Sequence, residues 1–235
     1  AVEHAIFALG AMHAAVPVAT ISSAYSLVSK NFEKLRAAVT LLDPGAIYVS
    51  DAVPFSQALA AIKENHRAIV VAGRNAEKAG GIAPAEVLAT PDSDAVTRAF
   101  AAITPGTVAK FLFTSGSTGA PKAVINTQGM LTSSQTAKAQ VWPFLDTSEL
   151  IVLDWLPWSH TFGANHNFNM VLRNGGTLHV DQGKPAPGLF AASLDNLRSV
   201  IPTVYFNVPR GFDMLLAALR EDQALRQRFF GQVRF

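Results

Sequence analysis

The 235-residue sequence contains no cysteine. Disulfide bonds, thiolate metal sites and a cysteine nucleophile are therefore excluded, and the absence is typical of a cytosolic protein. Charged residues are scarce as well, at 15% of the chain, with a net charge of +2 and no dense run of lysine or arginine. A nucleic-acid-binding surface is thus not indicated, and we expect no nucleic-acid partner.

Long uninterrupted apolar runs are also missing. Residues 5–22 come nearest to a signal peptide or membrane span, but Glu3 and His4 stand where a signal peptide carries basic residues. His13 and Pro17 interrupt the apolar run. We therefore expect a buried helix that leads into a strand, a cytoplasmic location and no membrane segment. The chain begins without methionine and directly on a helical pattern, which indicates a piece of a longer protein.

Apolar residues make up 49% of the chain, which is enough to build a sizeable core. Helix-like and strand-like patterns alternate along it, and this predicts the α/β class, with layered, mostly parallel sheets flanked by helices. The predicted helices cover residues 2–15, 26–42, 54–64, 128–141, 166–172, 188–200 and 211–220. The predicted strands cover residues 17–21, 46–49, 68–71, 110–113, 150–156, 177–180 and 203–207.

Residues 72–107 are rich in glycine and proline and predict an irregular excursion between two lobes. We therefore expect a first α/β lobe over residues 1–107 and a second over residues 108–235. One continuous sheet is the alternative.

The segment from residue 113 to 124, FTSGSTGAPKAV, directly follows a short apolar strand and has the composition of a polyphosphate cradle. Glycines let the backbone approach an oxyanion closely, hydroxyl groups add donors, and a lysine adds a full positive charge. The candidate phosphate-binding residues are Thr114, Ser115, Gly116, Ser117, Thr118, Gly119 and Lys122. Pro121 precedes the lysine, where a Walker A loop has glycine, so an ordinary P-loop NTPase is disfavoured. The alternative is a turn between two strands that is merely rich in serine and glycine.

A second segment, LPWSHTFG at residues 156–163, follows the apolar strand and places His160 at its carboxyl end. Open α/β sheets bind their ligands at that end, although a lone histidine is more often structural. His166 lacks the i, i+4 spacing of a two-histidine zinc site, so a metal centre is disfavoured. Together with Asn165 or Asn167 it is expected to cap the following helix or to line a pocket.

TSGSTGAPKAV resembles the phosphate-binding signature of the adenylate-forming superfamily, which contains acyl-CoA synthetases, adenylation domains of peptide synthetases and luciferases. LPWSHTFG resembles the LPxxHxxG motif of the same superfamily, in which the histidine borders the acyl pocket. DWLPWSHTFGANHNF, NGGTLHVDQGKP and PTVYFNVPRGFDML are similar to stretches of bacterial feruloyl-CoA synthetase-like ligases, which activate hydroxycinnamates. Ala123 and Ala164 depart from the family pattern, where glycine is common.

The resemblance implies part of the N-terminal domain of an ATP-dependent acid–CoA ligase. In such an enzyme a small-molecule carboxylate attacks the α-phosphorus of Mg-ATP, which releases pyrophosphate, and the CoA thiol then displaces AMP from the acyl-adenylate. ATP, Mg²⁺ and CoA are the implied ligands, with Lys122 and His160 as implied catalytic residues. Thr118 is the implied contact to magnesium. The residues implied to line the acyl pocket are Trp158, His160, Phe162 and Gly163.

Family members continue past the last residue of this sequence. The adenine-binding segment, the YGxTE motif, the ribose-binding aspartate, the hinge and the C-terminal domain with its catalytic lysine are not in it, so we expect the 235-residue chain alone to be inactive. Two alternatives stay open: an adenylation domain that loads a carrier protein, and a nucleotide-binding fragment without turnover. The sequence leaves the oligomeric state open.

Overall fold

The computed structural model describes residues 1–91, 93–114 and 121–235. Its contacts divide the chain into two compact units, Ala1–Met130 and Leu131–Phe235. Among the described residues, three strand pairings are parallel and one is antiparallel. The prediction of an α/β fold with mostly parallel pairing is confirmed.

The first unit contains a three-stranded sheet and a two-stranded sheet. Its described strands are β1 (Val18–Ala19), β2 (Ala46–Val49), β3 (Ile69–Ala72), β4 (Val108–Thr114) and β5 (Lys122–Thr127). Its described α-helices are α1 (Val2–His13), α2 (Ala24–Leu27), α3 (Glu33–Leu42), α4 (Ser56–Ile62), α5 (Pro84–Leu88) and α6 (Asp94–Ala101). Strand β4 lies between β1 and β5 in the larger sheet, and β2 pairs with β3 in the smaller one.

The helix α7 (Gln128–Val141) begins in the first unit and ends in the second. The second unit pairs β6 (Ile151–Asp154) in parallel with β7 (Thr177–Val180). Its other described helices are a 3₁₀ turn (Pro143–Asp146), a π-helical segment (Phe162–Phe168), α8 (Asn169–Asn174), α9 (Phe190–Ser199), α10 (Pro209–Glu221) and α11 (Gln223–Gln232).

Strand β6 is the centre of the second unit, because its two faces enter two different apolar cores. Leu153 packs into a core with Leu197 and Leu215, whereas Val152 packs into a core with Met170 and Val204. Burial on both faces explains why the first three residues of this strand, residues 151–153, are all apolar. The segment that follows β6 therefore begins at a strand that is firmly packed.

Strands β2 and β7 and helix α7 have the predicted bounds, but the predicted helix over residues 26–42 is broken in two. The break lies at Phe32, whose φ is 54°, a left-handed conformation that no continuous helix contains. The Ser29 hydroxyl accepts a hydrogen bond from the Phe32 backbone N–H at 3.2 Å. Such a side-chain bond competes with the helical hydrogen bonds and stabilises the turn.

Three further predictions were wrong in detail. Residues 203–207 form no regular strand, since Val204 makes only an isolated bridge to Val152 beside β6. The sequence predicted no strand between residues 113 and 150, but residues 122–127 form the strand β5, antiparallel to β4. Residues 72–107 are less irregular than predicted, because α5 and α6 lie within them.

Strand β4 pairs with β1 and so lies in the first unit, although the predicted lobe boundary falls before it, at residue 107. The position of the domain boundary stays a prediction. Within the described ranges, the helices are all too short or too polar to cross a lipid bilayer.

Candidate functional site

The predicted phosphate loop connects β4 to β5. Thr114 is the last residue of β4 and the register partner of Lys122, the first residue of β5. Both side chains are exposed. The other predicted phosphate-binding residues, together with the predicted magnesium contact, lie outside the described residues: Ser115, Gly116, Ser117, Thr118 and Gly119. The two ends of the loop are thus held side by side by an antiparallel ladder.

Lys122 is held at the edge of this loop by its backbone, because β5 pairs with β4 from this residue onward. It forms no ion pair with any residue that the structure describes. An exposed ammonium group on a backbone held in this way is well suited to contact an anion. A second lysine of the hairpin, Lys110, is buried in β4, and burial lowers its pKa to about 8. The sequence patterns did not single out Lys110.

The second predicted motif begins where β6 ends. The Asp154 carboxylate accepts a hydrogen bond from the backbone N–H of Leu156 at 3.0 Å and thereby turns the chain out of the strand. The π-helical segment then starts near Gly163, which packs closely on this turn. A Cβ atom on Gly163 would lie 2.7 Å from the backbone oxygens of Leu156 and Pro157, so the site requires glycine. Single π-helical turns are frequent at functional sites.

The predicted acyl-pocket residues separate into two groups. Trp158 packs against Phe168, with ring centroids 4.5 Å apart. Phe162 instead faces His166 edge-on, at 5.4 Å. The exposed His160 accepts a hydrogen bond at Nδ1 from the backbone N–H of Phe162, at 3.2 Å. That bond leaves the Nε2 atom of His160 protonated in the neutral ring.

Five rings of the second unit form what we call the aromatic cluster: Trp142, Phe162, His166, Phe206 and Phe235. His166 is its centre. The edge-to-face distance to Phe206 is 4.7 Å, and that to Trp142 is 6.1 Å. Four of the rings are half-buried and Phe235 is exposed, so part of the aromatic surface remains accessible. Such a surface can pack against an apolar or aromatic ligand.

Two buried carboxyl groups lie at the carboxyl ends of β6 and β7. Asp154 is 5% exposed and Asp181 is 7% exposed. Asp181 accepts hydrogen bonds from the Gly183 backbone at 2.7 Å and from the Asn196 amide at 2.8 Å. Burial, with a further contribution from the Asp181 charge, raises the pKa of Asp154 to about 6.

Two buried amides and a phenol accompany these two carboxyl groups. We call the five residues the polar layer: Asp154, Asn167, Asp181, Tyr205 and Asn207. Asn167 is fully buried, and its Oδ1 atom lies 2.8 Å from Nδ1 of His166. Asn207 donates to the Tyr205 hydroxyl at 2.8 Å and accepts from the Trp155 indole at 3.0 Å. Burial and the nearby carboxylates raise the pKa of Tyr205 to about 12. The phenol is therefore neutral at physiological pH.

The patterns in the sequence missed most of this layer. They identified His166 and Asn167 only as residues that cap a helix or line a pocket. Asp154 carries the strongest signal in retrospect, since it is a carboxylate inside an otherwise apolar predicted strand, and carboxylates are rarely buried without a reason. Asp181 and Tyr205 give no local signal, because only the pairing of β6 with β7 and the return of the chain beside β6 bring them close.

The profile of the AMP-binding enzyme family matches residues 1–235. Long-chain-fatty-acid–CoA ligase ACSBG2 of Xenopus laevis is 27% identical over 113 residues, which is 47% of this chain and 15% of that protein. The ACSBG2 protein of Gallus gallus is 28% identical over 113 residues, 47% of this chain and 14% of that protein.

Solved structures share the fold over the whole chain. ATP-bound MatB from Rhodopseudomonas palustris has a TM-score of 0.70 and 21% identity, and the match covers 100% of this chain and 42% of that chain. A malonyl-CoA ligase in a ternary product complex with methylmalonyl-CoA and AMP has a TM-score of 0.67 and 18% identity, covering 100% of this chain and 43% of that one. This sequence therefore spans less than half the length of those proteins.

Proposed function

Because this chain belongs to the AMP-binding enzyme family, we propose that the complete protein containing it is an ATP-dependent carboxylic acid–CoA ligase. The observation that carries the proposal is the β4–β5 hairpin. It holds Thr114 and Lys122 opposite one another at the two ends of the signature loop. In this position the Lys122 ammonium group neutralises phosphate charge that builds up while the acid carboxylate attacks the α-phosphorus of ATP.

In the proposed reaction the hydroxyl and backbone N–H groups of the loop bind the ATP phosphates. Hydroxyl and phosphate oxygens are ligands that suit Mg²⁺, and we assign the protein contact to Thr118. No group of three or more His, Asp or Glu side chains in the described part of the chain is placed to hold a metal ion. This agrees with a magnesium ion that is held largely by the nucleotide. Positioning and electrostatics supply the catalysis, so no protein nucleophile is needed.

For the acid we propose an aromatic substrate of the hydroxycinnamate class, with Trp158, His160, Phe162 and Gly163 at the pocket. The aromatic cluster supports this choice, because its partly exposed rings can pack against a planar ring. Gly163 contributes by its missing side chain, which allows the π-helical segment to approach the turn after β6. His160 lies beside Phe162 and is the proposed polar group at the rim of the pocket.

Long-chain fatty acids are the rival substrates, because the two ACSBG2 relatives carry that activity in their names. The complete protein should be supplied with ATP, CoA and one acid at a time, and AMP formation should be followed. Ferulate, 4-coumarate, benzoate, octanoate and palmitate form the panel. We expect the two hydroxycinnamates to give the highest kcat/KM. A clear preference for a fatty acid would reject the aromatic substrate but not the proposal that the protein is a ligase.

The acceptor is tested in the same assay. If AMP formation from the acid requires CoA, the protein is a CoA ligase; if it requires a carrier protein with a phosphopantetheine thiol, it is an adenylation domain. A protein that binds ATP without releasing pyrophosphate with any acid would be a nucleotide-binding protein without turnover. The 235-residue chain alone is expected to form no AMP.

A further inference from the structure

Asn167 links the aromatic cluster to the buried carboxyl group at the end of β6. Its amide Oδ1 atom lies 2.8 Å from the His166 Nδ1 atom. Its Nδ2 atom is buried and has no hydrogen-bond partner among the described residues, and the same is true of Oδ2 of Asp154. One orphaned atom is a donor and the other is an acceptor. The Asn167 amide is also close enough to Asp154 to lower the pKa of its carboxyl group against the effect of burial.

The charge of Asp154 selects one orientation of this amide. With Nδ2 toward the carboxylate, Oδ1 points at His166 and can only accept, so the histidine must carry its proton on Nδ1. The flipped amide would set its oxygen against a buried carboxylate oxygen and leave both without a donor, which is costly in a buried site. Burial also lowers the pKa of His166, so the ring is neutral and its second nitrogen, Nε2, is a hydrogen-bond acceptor.

We propose that Asp154, acting through Asn167, is a positioning residue that holds His166 in its Nδ1–H tautomer and so presents Nε2 as an acceptor within the aromatic cluster. No described residue bonds to Nε2. What Nε2 meets rests on the proposed function: a hydroxyl group on the acid, which a cinnamate lacks and a 4-coumarate carries. The tautomer itself is independent of the substrate.

The tautomer can be measured directly. In the complete protein labelled with ¹⁵N-histidine, a nitrogen that bears a proton and one that does not have well separated chemical shifts, and the variant His166→Gln identifies which signals belong to His166. We expect Nδ1 to be protonated and Nε2 to be unprotonated. Asp154→Asn removes the charge but keeps the shape, so both amide orientations become possible and the shifts of His166 should move toward an average of the two tautomers. Asn167→Ser, which shortens the link, should have the same effect.

Ser193→Ala is the matched control, since it removes another buried polar atom without a described partner in the same unit. It should leave the His166 signals unchanged. The proposal is overturned if the wild-type protein has the proton on Nε2. It is equally overturned if the folded Asp154→Asn and Asn167→Ser variants both keep the wild-type tautomer. If one of the two variants does not fold, the other decides.

Kinetic measurements separate a positioning role of Asp154 from a purely structural one. The preference for 4-coumarate over cinnamate, expressed as a ratio of kcat/KM values, should fall about tenfold in Asp154→Asn, the effect of losing roughly one hydrogen bond. A proportional loss for both acids would indicate a structural role only and would overturn the proposed consequence for the substrate. If the wild-type protein activates neither acid, the proposed function fails, whereas the NMR result still decides the role of Asp154.

Discussion

The backbone N–H of Asp181 donates to the backbone carbonyl of Asp154 at 2.9 Å, which sets two buried carboxyl side chains at adjacent strand ends. Their surroundings differ. Asp181 accepts two hydrogen bonds at one oxygen, whereas Asp154 accepts one from Leu156 and its second oxygen has no partner among the described residues. Burial without a partner for this second oxygen is consistent with the raised pKa of Asp154.

The stability of the complete protein should fall with rising pH because of Asp154. Its pKa is raised from 3.8 to about 6 in the folded protein, so the folded state binds more protons than the unfolded state between these values. The free energy of unfolding of wild type, relative to Asp154→Asn, should therefore decrease by roughly 2 kcal/mol from about pH 4 to about pH 7. Unfolding by denaturant at several pH values measures this difference. If this difference stays constant or increases over that range, the pKa of Asp154 is not raised in the folded protein.

Replacing Gly163 by alanine should displace the π-helical segment. The new Cβ atom would meet two backbone oxygens at 2.7 Å, and backbone atoms cannot give way as a flexible side chain does. We expect a loss of about 1–3 kcal/mol in the free energy of unfolding, the usual cost of overpacking, together with weaker acid binding.

Gly10→Ala in α1 is the matched control for this substitution. Nothing lies within 4 Å of a Cβ atom at that position, so it should leave the protein as stable as wild type or up to about 1 kcal/mol more stable. Equal thermal midpoints for the Gly163→Ala and Gly10→Ala variants would contradict the close approach.

Some parts of the fold were predictable because their signals are local. Helix α7 and strands β2 and β7 have their predicted bounds, since apolar periodicity and flanking turn residues define them within a short window. The candidate phosphate segment also gives a local signal, because its glycines, hydroxyl groups and lysine are close together in the chain, and its role stays a prediction. The pairing of its two ends, Thr114 and Lys122, was not predicted, because it depends on the strand β5.

Other parts depend on contacts between distant residues. Strand β5 exists because β4 offers it an antiparallel edge, which its own mixed sequence did not reveal. The break at Phe32 is stabilised by hydrogen bonds to the Ser29 and Asn31 side chains, and helical periodicity continues across it. The polar layer behind His166 joins Asp154, Asn167 and Asp181 from separate segments, so no spacing rule could have predicted it.

Thr203 should stabilise the start of β6. Its hydroxyl accepts a hydrogen bond from the backbone N–H of Ile151 at 2.8 Å, which takes the place of a neighbouring strand. Thr203→Val has the same shape but leaves this N–H without its partner, and the expected cost is about 1–2 kcal/mol in the free energy of unfolding. Thr136→Val is the control, because Thr136 is exposed on α7 and its hydroxyl only donates back to the preceding helical turn. If the Thr203→Val variant is as stable as the control, the Thr203 hydroxyl does not stabilise the start of β6.

Lys122→Ala should slow adenylate formation in the complete protein. The backbone of Lys122 is held at the edge of the phosphate loop by the β4–β5 ladder, and a charge-assisted hydrogen bond from its ammonium group to phosphate is worth about 1.5–3 kcal/mol. Acid-dependent pyrophosphate release should therefore decrease by about ten- to a hundredfold. Since Lys122 is exposed and has no ion pair among the described residues, the thermal midpoint should not change.

Lys63→Ala is the control for this substitution. It removes an exposed lysine of the same unit far from the motif in sequence and should retain full activity. Pyrophosphate release at the wild-type rate from Lys122→Ala would rule out a role for this lysine in binding the phosphates, while an equal loss in Lys63→Ala would indicate a general effect of net charge.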